Sequence, residues 1–174
     1  WLSVQMAKLY VFYWRNQLQD MLSVINLIEE NVVDFDNPTA KAKFYDAKLQ
    51  YEFRHTRYAL TRQHVELAKH AFIASQETED YPLQNNCLFT FGFTCLFSQQ
   101  YTDAQKYLIQ ALNNATEYAD TTLKTRCLAY LTVLFRLQGN RIETRQYLSQ
   151  AKEFAQNSGM DDYIAIANAN EAWL

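Results

Sequence analysis

Cys87-Leu88-Phe89-Thr90-Phe91 and Cys127-Leu128-Ala129-Tyr130-Leu131 stand forty positions apart, and the correspondence runs without a gap over residues 85–160. Phe97 falls on Leu137, Gln100 on Asn140 and Asp103 on Glu143. Tyr107-Leu108 falls on Tyr147-Leu148, Ala111 on Ala151 and Ala115 on Ala155. A fixed period between about 20 and 50 residues marks a repeat architecture, in which each unit buries its apolar face on its neighbour.

Composition agrees with helices as the repeating element. The 174 residues include only three glycines and two prolines, too little punctuation for many strands and tight turns. A chain of this length buries roughly 70% of its unfolded surface without disulfide or metal staples. Twelve tyrosines, eleven phenylalanines and three tryptophans supply large rings, which either fill gaps between helices or line a groove.

Sixteen basic and nineteen acidic residues are spread along the chain, for a net charge of −3, with no basic block to hold nucleic acid directly. The most apolar run, residues 88–97, is about half of the roughly 20 residues that a bilayer requires, so no membrane span is expected. No charged n-region, apolar core and cleavage site open the chain. Cys87, Cys95 and Cys127 are odd in number and form no CxxC pair, which points to small buried thiols in a reducing, cytoplasmic setting. The Trp1 start and abrupt Trp173-Leu174 end lead to the expectation of a segment of a longer protein.

Apolar spacing of three and four predicts about nine helices. The first two cover about 2–15 and 18–33, the second carrying Met21, Leu22, Ile25, Ile28 and Val32 on one stripe. Asn37-Pro38 is a predicted cap and first helical residue for a third helix to about 57. The fourth covers 61–78 with Val65, Ala68, Phe72 and Ile73 inward, and Asp80-Tyr81-Pro82 opens the fifth. Gln99-Gln100-Tyr101 leads into the sixth, Asp120 caps the seventh, and Gly139 ends it. The eighth covers about 142–157, and Asp161-Asp162 starts a ninth with Tyr163, Ile166, Ala167, Asn170 and Trp173 on one face. Short links force antiparallel neighbours, so the prediction is one all-α domain, 1–174, built as a right-handed superhelix of tandem helix hairpins. Its units are 1–37, 38–80, 81–120, 121–160 and a partial fifth, 161–174.

At Phe91-Gly92, with Ala104, Leu108 and Ala111 following, the chain resembles the tetratricopeptide repeat. Small residues sit there where two helix backbones cross closely, and large ones fill between. The next unit keeps Leu131, Leu148 and Ala151 but has Thr132 and Thr144 at small positions. One unit back, His64, Ala68 and Ala71 stand where Ala104, Leu108 and Ala111 stand, with His64 a departure, and the first unit aligns through Met21, Ile25 and Ile28 with about three extra residues near Asp36. With its forty-residue unit, Tyr13-Trp14-Arg15 and the segment from Tyr163 to Leu174, the chain is similar to the C-terminal helical region of bacterial signal-transduction ATPases with numerous domains, and to their maltose-regulon activator relatives. That resemblance implies an inducer- or partner-binding arm working with other domains of the same chain.

No P-loop, dinucleotide fingerprint or HExxH occurs, and no cofactor is expected. His64 and His70 are six apart, not the three or four of a helical zinc pair, and Glu29-Glu30 and Asp161-Asp162 read as a solvated face and a helix N-terminus. The expectation is a protein that is not an enzyme. Two sets of residues are candidate groove contacts: the basic group Arg54, Arg57 and Arg62 near His55 and His64, and the aromatic series Tyr10, Tyr13, Trp14, Tyr51, Tyr58, Phe93 and Tyr130. Local pairing of the arginines with Glu52 and Glu66, and core filling by the rings, are the competing readings. The predicted function is a non-catalytic scaffold that holds a protein segment or small inducer in a concave groove, as the sensor arm of a signalling ATPase or transcriptional regulator. The alternative is a structural adaptor or self-association module without a small ligand.

Overall fold

A computed structural model describes residues 1–32 and 34–174. Among these the chain is all-α: α1 (Leu2–Trp14), α2 (Leu18–Asn31), α3 (Pro38–His55), α4 (Arg62–Gln76), α5 (Tyr81–Phe97), α6 (Tyr101–Glu117), α7 (Thr121–Leu137), α8 (Arg141–Ser158) and α9 (Asp161–Glu171). The second helix, expected to reach residue 33, stops at Asn31, and Val33 lies outside the described residues. Two compact units divide the chain, residues 1–98 with α1–α5 and residues 99–174 with α6–α9. The division falls inside the expected third hairpin, 81–120. Within each unit every helix packs on its neighbour in sequence, and α1 on α3, α3 on α5 and α7 on α9 also touch, a solenoid-like order.

The predicted starts rest on side-chain caps. Asn37 Oδ1 accepts from the Ala40 amide at 3.0 Å, Asp80 Oδ1 from Leu83 at 3.0 Å and Asp120 Oδ1 from Leu123 at 2.9 Å. Each satisfies one of the amides that a helix N-terminus leaves without an intrahelical acceptor. His64 is explained in the same way. Its Nδ1 accepts the Thr61 amide at 2.9 Å, closing a capping box at the start of α4, and its Nε2 faces Glu52 at 3.7 Å. The position that breaks the small-residue pattern is a cap.

The helix ends follow a rhythm of their own. Gln99, Ala119, Gly139 and Gly159 take a left-handed backbone every twenty residues, with φ of 62, 55, 73 and 64°. After three of them the next amide reaches back to close the turn: Asp120 to the Ala115 carbonyl at 2.9 Å, Asn140 to Phe135 at 2.9 Å and Met160 to Ala155 at 3.0 Å. Asn16 and the pair Arg57-Tyr58 are also left-handed, and Gln17 and Tyr58 make the same return bond, each at 2.9 Å. This six-residue closure satisfies carbonyls that the helix leaves open.

Packing in residues 1–98 centres on Met6, Leu9, Met21, Val24, Ile25, Ile28, Phe44, Ala47 and Tyr51, all buried. A second cluster joins α3, α4 and α5 through Ala42, Ala71, Ala74, Leu83 and Cys87. In residues 99–174 Leu128, Ala129 and Ala151 are the buried centre of a cluster that includes Tyr147, Phe154 and Ile166. The predicted packing residues Phe91, Gly92, Ala104, Leu108, Ala111, Leu131, Leu148 and Ala151 are all buried. Thr132 and Thr144 occupy small positions without an orphaned hydroxyl, because each donates back along its helix, to Leu128 at 2.8 Å and Asn140 at 2.6 Å. One inward assignment is corrected: Ile73 is 48% exposed, and the buried stripe of α4 is Val65, Ala68, Ala71, Ala74 and Ser75. Alanines on that stripe bring the helix close, which turns Ile73 outward. No described helix is long and apolar enough to cross a membrane.

All three cysteines are free and buried. Burial pushes the Cys127 thiol up to about 12, and burial with the nearby Asp46 charge pushes Cys87 higher. Folded values above the unfolded one mean that this stability is fully present below pH 9 and is lost as pH rises beyond it. Each thiol should lower stability by about 1.4 kcal/mol per pH unit there. In reducing denaturant titrations between pH 8 and 10.5, a Cys87→Ala/Cys127→Ala protein should show a shallower alkaline decline than the parent. Turn geometry gives a second expectation. Ala119→Gly should raise stability by about 0.5–1 kcal/mol and Gly139→Ala should lower it by a similar amount, since a Cβ is disfavoured at positive φ. No atom lies within 4 Å of a Cβ built on Gly139, so sterics would not obscure the comparison.

Candidate binding groove between the first and third helices

Helices α1 and α3 lie side by side in the same direction. Leu2 and Ser3 share a hollow with Asn37 and Thr39, and eleven residues further along α1, Tyr13 meets Arg54. The hollow has a volume of about 620 Å³. Leu2, Met6, Ala7 and Ala40 give it apolar walls, while Ser3, Thr39, Asn37, Tyr10 and Lys43 bring polar groups. Ser3, Ala7 and Tyr10 are exposed, so it opens to solvent.

Charge is organised on the α3 side. Asp46 is buried at 6% exposure, with its Oδ2 accepting from Asn86 Nδ2 at 3.5 Å. Asp80 divides its two oxygens, one capping α5 and the other 3.8 Å from Lys43 Nζ. The Tyr10 side chain is 43% exposed overall, yet its hydroxyl is pushed up to about 12, first by desolvation and then by the Asp46, Cys87 and Asp80 charges. Tyr10 therefore stays a neutral phenol at the edge of the hollow, able to donate and accept a hydrogen bond.

The C-terminal ends of α1 and α3 collect more of the expected residues. Arg54 donates to the Tyr13 carbonyl in the last turn of α1, approaches Asn16 Oδ1 at 3.3 Å and lies 3.8 Å over the Tyr13 ring. A cation there meets the negative end of the helix dipole. Trp14 is edge-on to Tyr13 at 5.4 Å and 80% exposed. Tyr58 is half exposed, but its ring packs on Phe53, Phe93 and Phe97, with centroids 5.8, 6.1 and 6.2 Å away.

Of the expected groove residues only Tyr10 lines the hollow, while Tyr13, Trp14, Arg54 and Tyr58 lie at the C-terminal ends of α1 and α3, outside its lining. Tyr51 and Phe93 do not face a groove. At 5% and 6% exposure they fill the space between helices, Tyr51 in the cluster with Met21 and Ile25, Phe93 against Phe53 and Phe89. Tyr130, half-buried, stands edge-on to Tyr163 at 6.4 Å in residues 99–174. Arg57 and Arg62 are exposed, and the pairing expected for Glu52 is made by His64. Lys43, Asp46 and Asp80 were missed. The available signal was Asp46 itself, an acid in register with Ala42, Leu49 and Phe53 on a face otherwise apolar. Among the described residues no group of three or more His, Cys, Asp or Glu could hold a metal ion.

Arg54 is a pin between helices, which separates it from its basic neighbours. Arg54→Ala should cost about 2 kcal/mol of stability, the range of a charge-assisted hydrogen bond, whereas Arg57→Ala and Arg62→Ala should stay within about 0.5 kcal/mol. Urea unfolding of the three variants checks this. No family model matches the chain, and comparison with curated proteins gives no match.

Proposed function

We propose that the chain is a non-catalytic binding scaffold whose α1–α3 groove takes an extended segment of a protein partner. The hollow beside Tyr10 carries this reading, since it combines apolar walls with hydroxyl, amide and ammonium groups and opens to solvent. Apolar walls supply affinity, and polar groups at fixed positions supply register. The forty-residue helical period and its likeness to tetratricopeptide units extend the proposal to a right-handed superhelix serving as the sensor arm of a cytoplasmic multidomain ATPase or transcriptional regulator. The free, buried thiols suit a reducing compartment.

A photo-crosslinking residue at Tyr10 should trap a discrete partner in cells, and one at Ile142, 78% exposed and not among the residues that line the groove, should not. Ser3→Trp, which fills the groove mouth, should abolish the Tyr10 product. Equal trapping at both positions, or trapping indifferent to Ser3→Trp, would refute the groove as the binding site.

A further inference from the structure

Helices α3 and α4 hold a second pocket between them, with a volume of about 220 Å³. It shares no lining residue with the α1–α3 hollow. Lys41 and Tyr45, one turn apart on α3, form one wall, and His70, Ile73 and Glu77 on α4 form the other. Ala74 lies between them, buried with Ala42 and Ala71, and these alanines let the two helices approach closely.

The short link of residues 56–61 makes α3 and α4 antiparallel, so the pocket has two unlike ends. At one end the Tyr45 and His70 rings meet edge-on, with centroids 5.3 Å apart. Ile73, 48% exposed, continues that apolar surface. At the other end stand Lys41, closing the first turn of α3, and Glu77, the C-cap of α4.

Both charges stand where the helix dipoles disfavour them, an ammonium near a positive start and a carboxylate at a negative end. Lys41 Nζ is 3.5 Å from Asp34 Oδ1, an oxygen that already accepts from the Phe35 amide at 2.8 Å. Asp34 is 80% exposed, and an ion pair of that kind contributes little. The Glu77 carboxylate and the His70 ring nitrogens make no ion pair or hydrogen bond among the described residues.

We propose that this pocket binds a free α-amino acid with an apolar side chain. The ligand carboxylate meets Lys41 and the start of α3, its ammonium meets Glu77 and the end of α4, and its side chain lies over Ile73 against the two rings. A zwitterion answers both charges at once, whereas a simple carboxylate or amine answers one. A residue inside a polypeptide carries neither, so a chain segment fits poorly here. Pockets for drug-sized molecules run to about 300–1,000 Å³, and the smaller volume suits a smaller ligand. The inference does not rest on the α1–α3 hollow or on a protein partner.

Calorimetric titration of the 174-residue protein with L-phenylalanine and L-leucine tests it. The probes 3-phenylpropionate and phenethylamine each keep one of the two charges. At least one amino acid should bind saturably, and both single-charge probes should bind at least about tenfold more weakly, a 1.4 kcal/mol difference. Lys41→Gln and Glu77→Gln should each weaken amino-acid binding by a similar factor, with circular dichroism confirming an unchanged fold. Ser3→Trp, which fills the other hollow, should leave the affinity as it is. No saturable binding of either amino acid, or a single-charge probe that binds as tightly, would overturn the proposal. So would indifference to Lys41→Gln or Glu77→Gln, or loss of binding on Ser3→Trp, which would assign the ligand to the α1–α3 hollow.

Discussion

Close approach of helix backbones is the constraint on which the rest of this structure depends. Ala42, Ala71 and Ala74 meet where α3, α4 and α5 cross, and Leu83 and Cys87 fill what the alanines leave. A methylene added at such a crossing has nowhere to go, because protein interiors are packed near the density of organic crystals. The threonines that replace small residues respect the same limit. They are as narrow as valine, and their hydroxyls turn back onto their own helices at Leu128 and Asn140 without needing a partner across the gap. With spacing fixed in this way, larger side chains are sorted to the edges of the crossings, where the groove and the exposed faces lie.

The helices and most of their caps were legible in the sequence because they are set by local chemistry. Asn37-Pro38, Asp80 and Asp120 act within three residues of where they stand, and apolar spacing marks the stripes of α2, α6 and α8. What required coordinates was long-range. Arg54 and Tyr13 are 41 residues apart, and nothing near either one predicts a guanidinium over that ring. The aromatic series shows the same limit. Tyr10 and Tyr51 look alike in sequence, yet one borders a groove and the other fills a core, because which side of a helix is covered depends on helices elsewhere in the chain. Ile73 was misplaced for the converse reason: alanines supplied the contact face, and a stripe of small residues carries a weak hydrophobic signal. His64 looked like a defect in the repeat, and the capping box shows that a residue can leave one pattern by serving another.

Three sides of α1 do three different things. One is buried against α2 through Met6 and Leu9, one borders the hollow at Ser3 and Tyr10, and one displays Val4, Val11 and Trp14 to solvent. Successive residues turn by about 100°, so the sides adjoin, and Met6, buried in the core cluster, also lines the hollow.

The left-handed turns every twenty residues have a consequence for how such a chain changes over generations. Those at Ala119, Gly139 and Gly159 close through backbone amides and carbonyls, so alanine and glycine both serve at equivalent places. Beyond the cost of a Cβ at positive φ, a joint of that kind makes little demand on the side chains around it. The twenty-residue helix-and-turn piece can therefore be copied, spliced or recoloured at its surface without a matching change at its ends. New specificity can accumulate on the outward positions while the joints stay as they are.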